Sequence, residues 1–266
     1  MAIQRRYNWR PSKPDIRDHL YSVRHPLVAA TALPKAWNNQ QWCSPVFDQG
    51  NEGSCTGHGW AAADEYMQLR EIRYKLAVSA EAPELFDATQ YIPASRQFIY
   101  WCERFLEGDT DQDGGAEVRD GAKVLSTIGV CREALWPYTS KNMFTKPSAA
   151  AYAEASQHKI LHYTKLNGLS DIRHCLASQY VAVFGFSVYD NFESDHCAAT
   201  GDLKMPGPDE SVQGGHCVVA VGYDDNLRHL ICRNSWGASW GKGGYFTMPF
   251  SYITSGLASD FWTMTK

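Results

Sequence analysis

Apolar and small residues recur at spacings of three and four from Cys55 onward, where Cys55, Gly59, Ala62, Tyr66, Leu69, Ile72 and Leu76 fall on one helical stripe. The stripe follows directly on the turn-rich segment DQGNEGSCTGHGW. The pattern therefore predicts a helix that opens at Cys55 and carries that side chain inward. A second helix is predicted after Ser95, which can cap it, with Phe98, Trp101, Cys102 and Phe105 inward. A third runs from about Glu117 to Thr127 with Val118, Ala122 and Leu125 inward. Beyond a polar connector near residues 139–150 and a short helix around Asp171–Ala177, the texture changes. The runs VAVFGFSV, HCVVAVGY, HLICRNSW and GYFTMPF read as strands, with Gly, Asp and Asn supplying the turns of an antiparallel sheet. Helices followed by strands give an α+β arrangement. Residues 1–32 are rich in Pro, Arg and Asp and lack a sustained apolar period, so they are read as an extended arm. The remainder, 33–266, is read as one domain with a helical lobe over about 50–140 and a β lobe over about 150–260.

At 266 residues with 44% hydrophobic content, such a domain can bury a core without metal or disulfide staples. Lys plus Arg number 25 against 29 Asp plus Glu, a net charge of -4. No basic field is available for phosphates, and nucleic acid is not an expected partner. No run reaches the roughly 20 apolar residues that cross a bilayer, so no membrane association is expected. The basic start lacks an apolar segment behind it, and a cleavable secretory signal is not visible. Residence in the cytoplasm or export by a non-classical route is the expectation. The eight cysteines, at 43, 55, 102, 131, 175, 197, 217 and 232, are irregularly spaced, contain no CxxC pair and in part sit inside apolar runs. Most are expected to be buried free thiols.

Candidate chemistry begins with Cys55, because a helix N-terminus lowers a thiol pKa. A cysteine there is more often a packing residue, so it needs company. His216 stands in QGGHCVVAVGYDD, at the opening of an apolar strand, where an imidazole is expected to face a cleft. A lone histidine in that setting is more often a satisfied core residue. Asn234 follows in ICRNSWGASWGKGGYF, with Trp236 two positions on. An amide oxygen shielded by an indole can fix the tautomer and direction of an imidazole that serves a thiol. Chance is a poor explanation for so long a Gly-punctuated aromatic run.

With these residues the chain resembles the papain family of cysteine peptidases, in particular bacterial-type members without a long propeptide. The resemblance covers Leu33 to the C-terminus, including LPKAWNNQQWCSPVFDQGNEGSC, and gives Gln49, Cys55, His216 and Asn234 in family order. It implies a two-lobed fold, a helical lobe and an antiparallel β-barrel-like lobe with the cleft between them. It further implies Cys55 as nucleophile, His216 as base, Asn234 as orienter of the base, and Gln49 with the Cys55 N–H as oxyanion donors. Gly114 and Gly115 match the pair whose backbone holds extended substrate, and Trp236 borders the site. Asp260 aligns with the floor of the main specificity pocket, which implies a preference for Lys or Arg two positions before the scissile bond. No cofactor or metal is implied; the acidic run DTDQDGG lacks the closing Glu of a calcium loop. The partners implied are a peptide or protein substrate and a proteinaceous inhibitor in the cleft.

Several positions depart from the family pattern. Thr56 stands where Trp usually follows the nucleophile, and Trp60, one turn on, is the expected replacement. Glu52 and Gln112 occupy the places of the family's disulfide near the cleft. Cys55 and His216 lie further apart than the about 130–150 residues usual for such peptidases, which the segment DHCAATGDLKMPGPDESV accounts for. His58, one turn above Cys55, is a rival base and otherwise a residue of the cleft rim. The arm is too short for a self-folding inhibitor. It is expected to pack along the lobes on Tyr7 and Trp9, or to cover one end of the cleft. Transfer of the acyl group to an amine, and an inactive peptide-binding module, are the alternative readings.

Overall fold

The computed structural model describes residues 5–24, 32–78 and 89–266. Of the arm expected over 1–32, residues 1–4 and 25–31 lie outside the described residues. The nine α-helices of the described residues are α1 Tyr21–Arg24, α2 Cys55–Val78, α3 Arg96–Glu107, α4 Val118–Thr127, α5 Ser140–Met143, α6 Ala149–Ala155, α7 Gly168–Ala177, α8 Asp195–Thr200 and α9 Ser251–Thr254. The strands are β1 Ala36–Asn38, β2 His162–Lys165, β3 Ala182–Tyr189, β4 Val212–Asp224, β5 His229–Arg233, β6 Tyr245–Pro249 and β7 Ala258–Thr265. Among the described residues no helix is long and apolar enough to cross a membrane.

Helix α2 opens at Cys55, as its apolar stripe requires, but it is buried on every side as far as Met67. It lies between α3 and α4 and the sheet, and its polar residues are therefore paired. Glu65 meets Arg96 of α3 at 2.8 Å and accepts from the Ser44 hydroxyl at 2.5 Å. Asp64 meets Lys266 at 2.7 Å. Helix α3 is capped as expected, the Ser95 hydroxyl accepting from Phe98 N at 3.1 Å. Phe105, expected inward, is exposed instead and stacks on Trp101 with ring centroids 5.4 Å apart.

Strands pair antiparallel in the order β2-β7-β3-β4-β5-β6, with β1 added on β4. The sheet is open: β2 and β6 each have a single partner strand, so the expected barrel-like closure is not formed. Alternation along β4 sends Cys217, Val219 and Val221 toward α2, into a core shared with Cys55, Trp60 and Trp262. Val218 and Ala220 face the opposite core, with Phe184, Phe186, Phe192 and Trp236. All eight cysteines are free, and all but Cys43 are buried.

Candidate active site

The turn before α2 fixes where Cys55 stands. Gly53 N donates to both Asp113 carboxylate oxygens at 3.0 Å, and the Ser54 and Tyr138 hydroxyls are 2.6 Å apart. The first helical bond, His58 N to Ser54 O, follows at 3.0 Å. Across from it, β4 carries His216, and the end of β5 delivers Asn234. His216 Nε2 lies 2.8 Å from Asn234 Oδ1. An amide oxygen only accepts, so this bond puts the ring proton on Nε2 and leaves Nδ1 bare. Nδ1 has no hydrogen-bond partner among the described residues. Trp236 covers the ring at 5.1 Å between centroids and 28° between planes, and Phe186 approaches it edge-on at 5.9 Å.

Gln49, fully buried, is held at three points. Its N–H donates to Ser235 O at 2.9 Å, its side-chain Nε2 donates to Glu52 O at 2.8 Å, and its Oε1 accepts from the Ser235 hydroxyl at 2.5 Å. Ser235 N also donates to Asn234 Oδ1 at 2.8 Å. One serine thus fixes both amides, a role the sequence reading missed, although its place between Asn234 and Trp236 was a signal for it.

The arm passes through the middle of this site. Trp9 N donates to Gly215 O at 2.9 Å, Gly215 N to Tyr7 O at 3.2 Å, and Arg10 N to Ala116 O at 3.4 Å. Asn8 Nδ2 donates to Asp113 O at 2.7 Å. Gly115 has φ +75° and a Cβ there would strike the Asn8 carbonyl; a Cβ on Gly215 would strike that of Trp9. Trp9 is 7% exposed and lies flat on Gly185. Charged side chains fasten the arm on both sides: Arg5 to Asp48 at 2.5 Å, Arg6 to Asp113 at 3.1 Å, and Arg10 to Glu107. Tyr7 donates to Glu193 at 2.6 Å, and the Arg5 guanidinium lies over Trp236 at 5.0 Å.

Cys55 and His216 are both at 0% exposure beneath this cover. Burial pushes the Cys55 thiol up to about 12, opposed by the Cys217 backbone N–H. It also pushes His216 down to about 4, opposed by the bond to Asn234. The pair is uncharged in this state.

Tyr7 and Trp9 do anchor the arm, but it covers the centre of the cleft, beyond the single end that was expected. Of Gly114 and Gly115, aligned with a substrate-binding pair, Gly115 faces the arm at Asn8, whereas a Cβ on Gly114 would meet the Asp109 carboxylate. Asp260 accepts from Ser12 N and Oγ of the arm at 2.9 and 2.7 Å and from Trp262 Nε1 at 2.7 Å. His58 is buried behind the site and not on its rim: it packs edge-on against Tyr138 at 4.7 Å, and burial holds it near pKa 3. Trp60 is buried and donates to Val118 O at 2.7 Å, while Thr56 Oγ1 donates to Glu103 at 2.6 Å. Among the described residues no group of His, Cys, Asp or Glu is arranged to hold a metal ion.

The model of the papain family of cysteine proteases matches residues 33–263. The chain belongs to this family. The peptidase is 35% identical over 264 residues to an uncharacterized peptidase C1-like protein of Acanthamoeba polyphaga mimivirus, covering 96% of this chain and 76% of that protein. It is 27% identical over 234 residues to cysteine proteinase 1 of Entamoeba histolytica, covering 85% and 67%. Among solved structures, xylellain, a cysteine protease from Xylella fastidiosa, superposes with a TM-score of 0.83 at 34% identity, covering 100% of this chain and 99% of that one. The family match begins after the described part of the arm, whereas the match to xylellain includes the arm. The peptidase is therefore a cysteine-type hydrolase of the papain-like α+β fold, acting on peptide or protein substrates.

Proposed function

We propose that this peptidase cleaves peptide bonds through an acyl-enzyme on Cys55, and that its own arm keeps the site closed in the folded chain. The observation that carries the chemistry is the bond from His216 Nε2 to Asn234 Oδ1 under Trp236, which leaves Nδ1 bare as the proton acceptor. Once the arm is out of the cleft, the burial that keeps the pair neutral is lifted, and the Cys55 proton passes to Nδ1. The thiolate attacks the scissile carbonyl. The imidazolium returns the proton to the departing amine, and water then attacks the thioester with His216 as base. In this reading Gln49 Nε2 and the Cys55 N–H act as the oxyanion donors, and the bonds of the Gln49 amide to Glu52 O and the Ser235 hydroxyl, which keep it from turning over, support it.

A peptidyl epoxide tests the assignment directly. Peptide mapping should find the label on Cys55, and a label on any of the other seven thiols would refute the proposed nucleophile. Gln49→Ala should lower kcat by about 10²- to 10³-fold, the usual loss for one oxyanion donor. An unchanged kcat would remove Gln49 from that role.

In a Cys55→Ala chain, where no thiol shares its proton with the imidazole, closure should also depend on pH, with a definite sign. His216 is held near pKa 4 while covered, against about 6.5 when free, so protons bind the open state better. The closed state is favoured above the free value and weakens as pH falls through the window between the two. Between pH 7 and pH 5 this amounts to about 2 kcal/mol. Hydrogen exchange of the Trp9 amide, corrected for its intrinsic rate, should accelerate over that range in Cys55→Ala and not in Cys55→Ala/His216→Gln. Equal acceleration in both proteins would show that His216 is not the responsible group.

A further inference from the structure

Two glutamates are buried between α2 and the helix beside it, and they are treated differently. Glu65 is neutralised by the Arg96 guanidinium at 2.8 Å. Glu103 is at 0% exposure, has no ion-pair partner among the described residues, and its hydrogen bond there is with the Thr56 hydroxyl, at 2.6 Å on Oε2. Its Oε1 has no hydrogen-bond partner among the described residues and is turned toward Gly121 and Trp60, so close that a Cβ on Gly121 would strike it. Thr56 is the residue next to Cys55. At the same level the backbones of α2 and α3 approach so closely that a Cβ on Gly57 would come within 2.8 Å of Arg96 O.

We infer that Glu103 is a positioning residue of the peptidase: as an uncharged acid it grips Thr56 and holds the start of α2, without setting a negative charge beside the Cys55 thiolate. The inference rests on the reading of Cys55 as nucleophile. A carboxylate in that place would lack a counter-charge and would pay the full cost of burial. Arg104 favours a carboxylate there, but by less than Glu107 or Asp120 disfavours it. Glu107 on its own helix and Asp120 on α4 repel a further negative charge, and Arg104 directs its guanidinium to the Gln112 carbonyl at 2.7 Å and to other main-chain oxygens. Burial accordingly raises Glu103 well above the ordinary carboxyl range, and its charge acts to raise the Cys55 thiol and the neighbouring Cys217 on β4. Thr56 stands where the family usually has Trp, so a hydroxyl–carboxyl contact does here what a large ring would do by filling space.

The test compares pH profiles of kcat and kcat/KM for the full-length wild type, Glu103→Gln, Glu103→Ala and Thr56→Val. Glu103→Gln keeps an acceptor for Thr56 and cannot ionise. It should retain activity within about threefold, and its acid limb, set by the Cys55 thiol, should superimpose on that of wild type, because an uncharged acid sets no charge beside the thiolate. Glu103→Ala should lower kcat by about 10- to 100-fold with KM little changed, the cost of a misplaced reacting group, and Thr56→Val should follow it. An acid limb of Glu103→Gln displaced to lower pH overturns the inference, since wild type would then carry the charge, and so does a Glu103→Ala kcat within twofold of wild type. If Glu103→Ala does not fold, the Gln variant decides by its limb alone. Cys55→Ala belongs in the same series. If it keeps turnover, the nucleophile is misassigned and the Glu103 role falls with it; an inactive Cys55→Ala beside an unaffected Glu103→Ala overturns the Glu103 role alone.

Discussion

Replacing Trp9 by Ala in the full chain should raise kcat/KM toward a peptide substrate by about 100-fold. Removing a buried Trp side chain costs about 3–5 kcal/mol where the site cannot collapse, and at Trp9 that cost falls on the closed state alone, because the released arm exposes the ring. The lower figure corresponds to about two powers of ten in the opening equilibrium. Gly185 supplies no side chain to refill the space, so the loss should not be recovered by repacking. The gain stops once the open form predominates, which gives a ceiling and not a proportional response. Steady-state assays on folded wild type and Trp9→Ala provide the check, with Arg5→Ala as a milder companion through its loss of Asp48. Equal kcat/KM in all three would mean that the arm does not limit access to Cys55.

Cys55→Ala should abolish turnover, by at least about 10⁴-fold, whatever the state of the arm, since no other group can form the acyl-enzyme. The fold should survive. The thiol is small, and a small-to-smaller change at a buried helix start typically costs about 1 kcal/mol. Combining it with Trp9→Ala makes the measurement decisive, because the open form then predominates and residual hydrolysis cannot be hidden by closure. Hydrolysis persisting in that folded double variant would exclude Cys55 as the nucleophile.

Much of this site was legible in the residues. Gln49, Cys55, His216 and Asn234 each sit in a segment whose turn, helix start or strand opening fixes the backbone locally, so pattern and chemistry coincided. Helices α2, α3 and α4 were legible for the same reason, within a residue or two at their ends, whereas the short α1 inside the arm was not. Strand β7 was not, because ASDFWTMT mixes polar residues into a strand that is buried between β2 and β3. Phe105 misled because helical spacing does not say where a helix face runs out of neighbours. Of the arm only the anchors Tyr7 and Trp9 were legible; its course follows from pairing of Tyr7–Arg10 with Gly215 and Ala116, long-range contacts that no local period records. Ser235 was overlooked for a similar reason, since its hydroxyl acts on a residue far away in sequence.

The arm is joined to the enzyme it covers, and this makes closure a first-order process. Dilution cannot open the cleft, and crowding cannot close it further. A tethered segment of this length acts at an effective concentration in the millimolar range. A separate peptide with the sequence of residues 5–18, added to a chain lacking its own arm, would need comparable concentrations to achieve the same occupancy. Whatever opens this peptidase must compete at that local concentration, by binding the arm itself, by cutting it, or by weakening its fastenings.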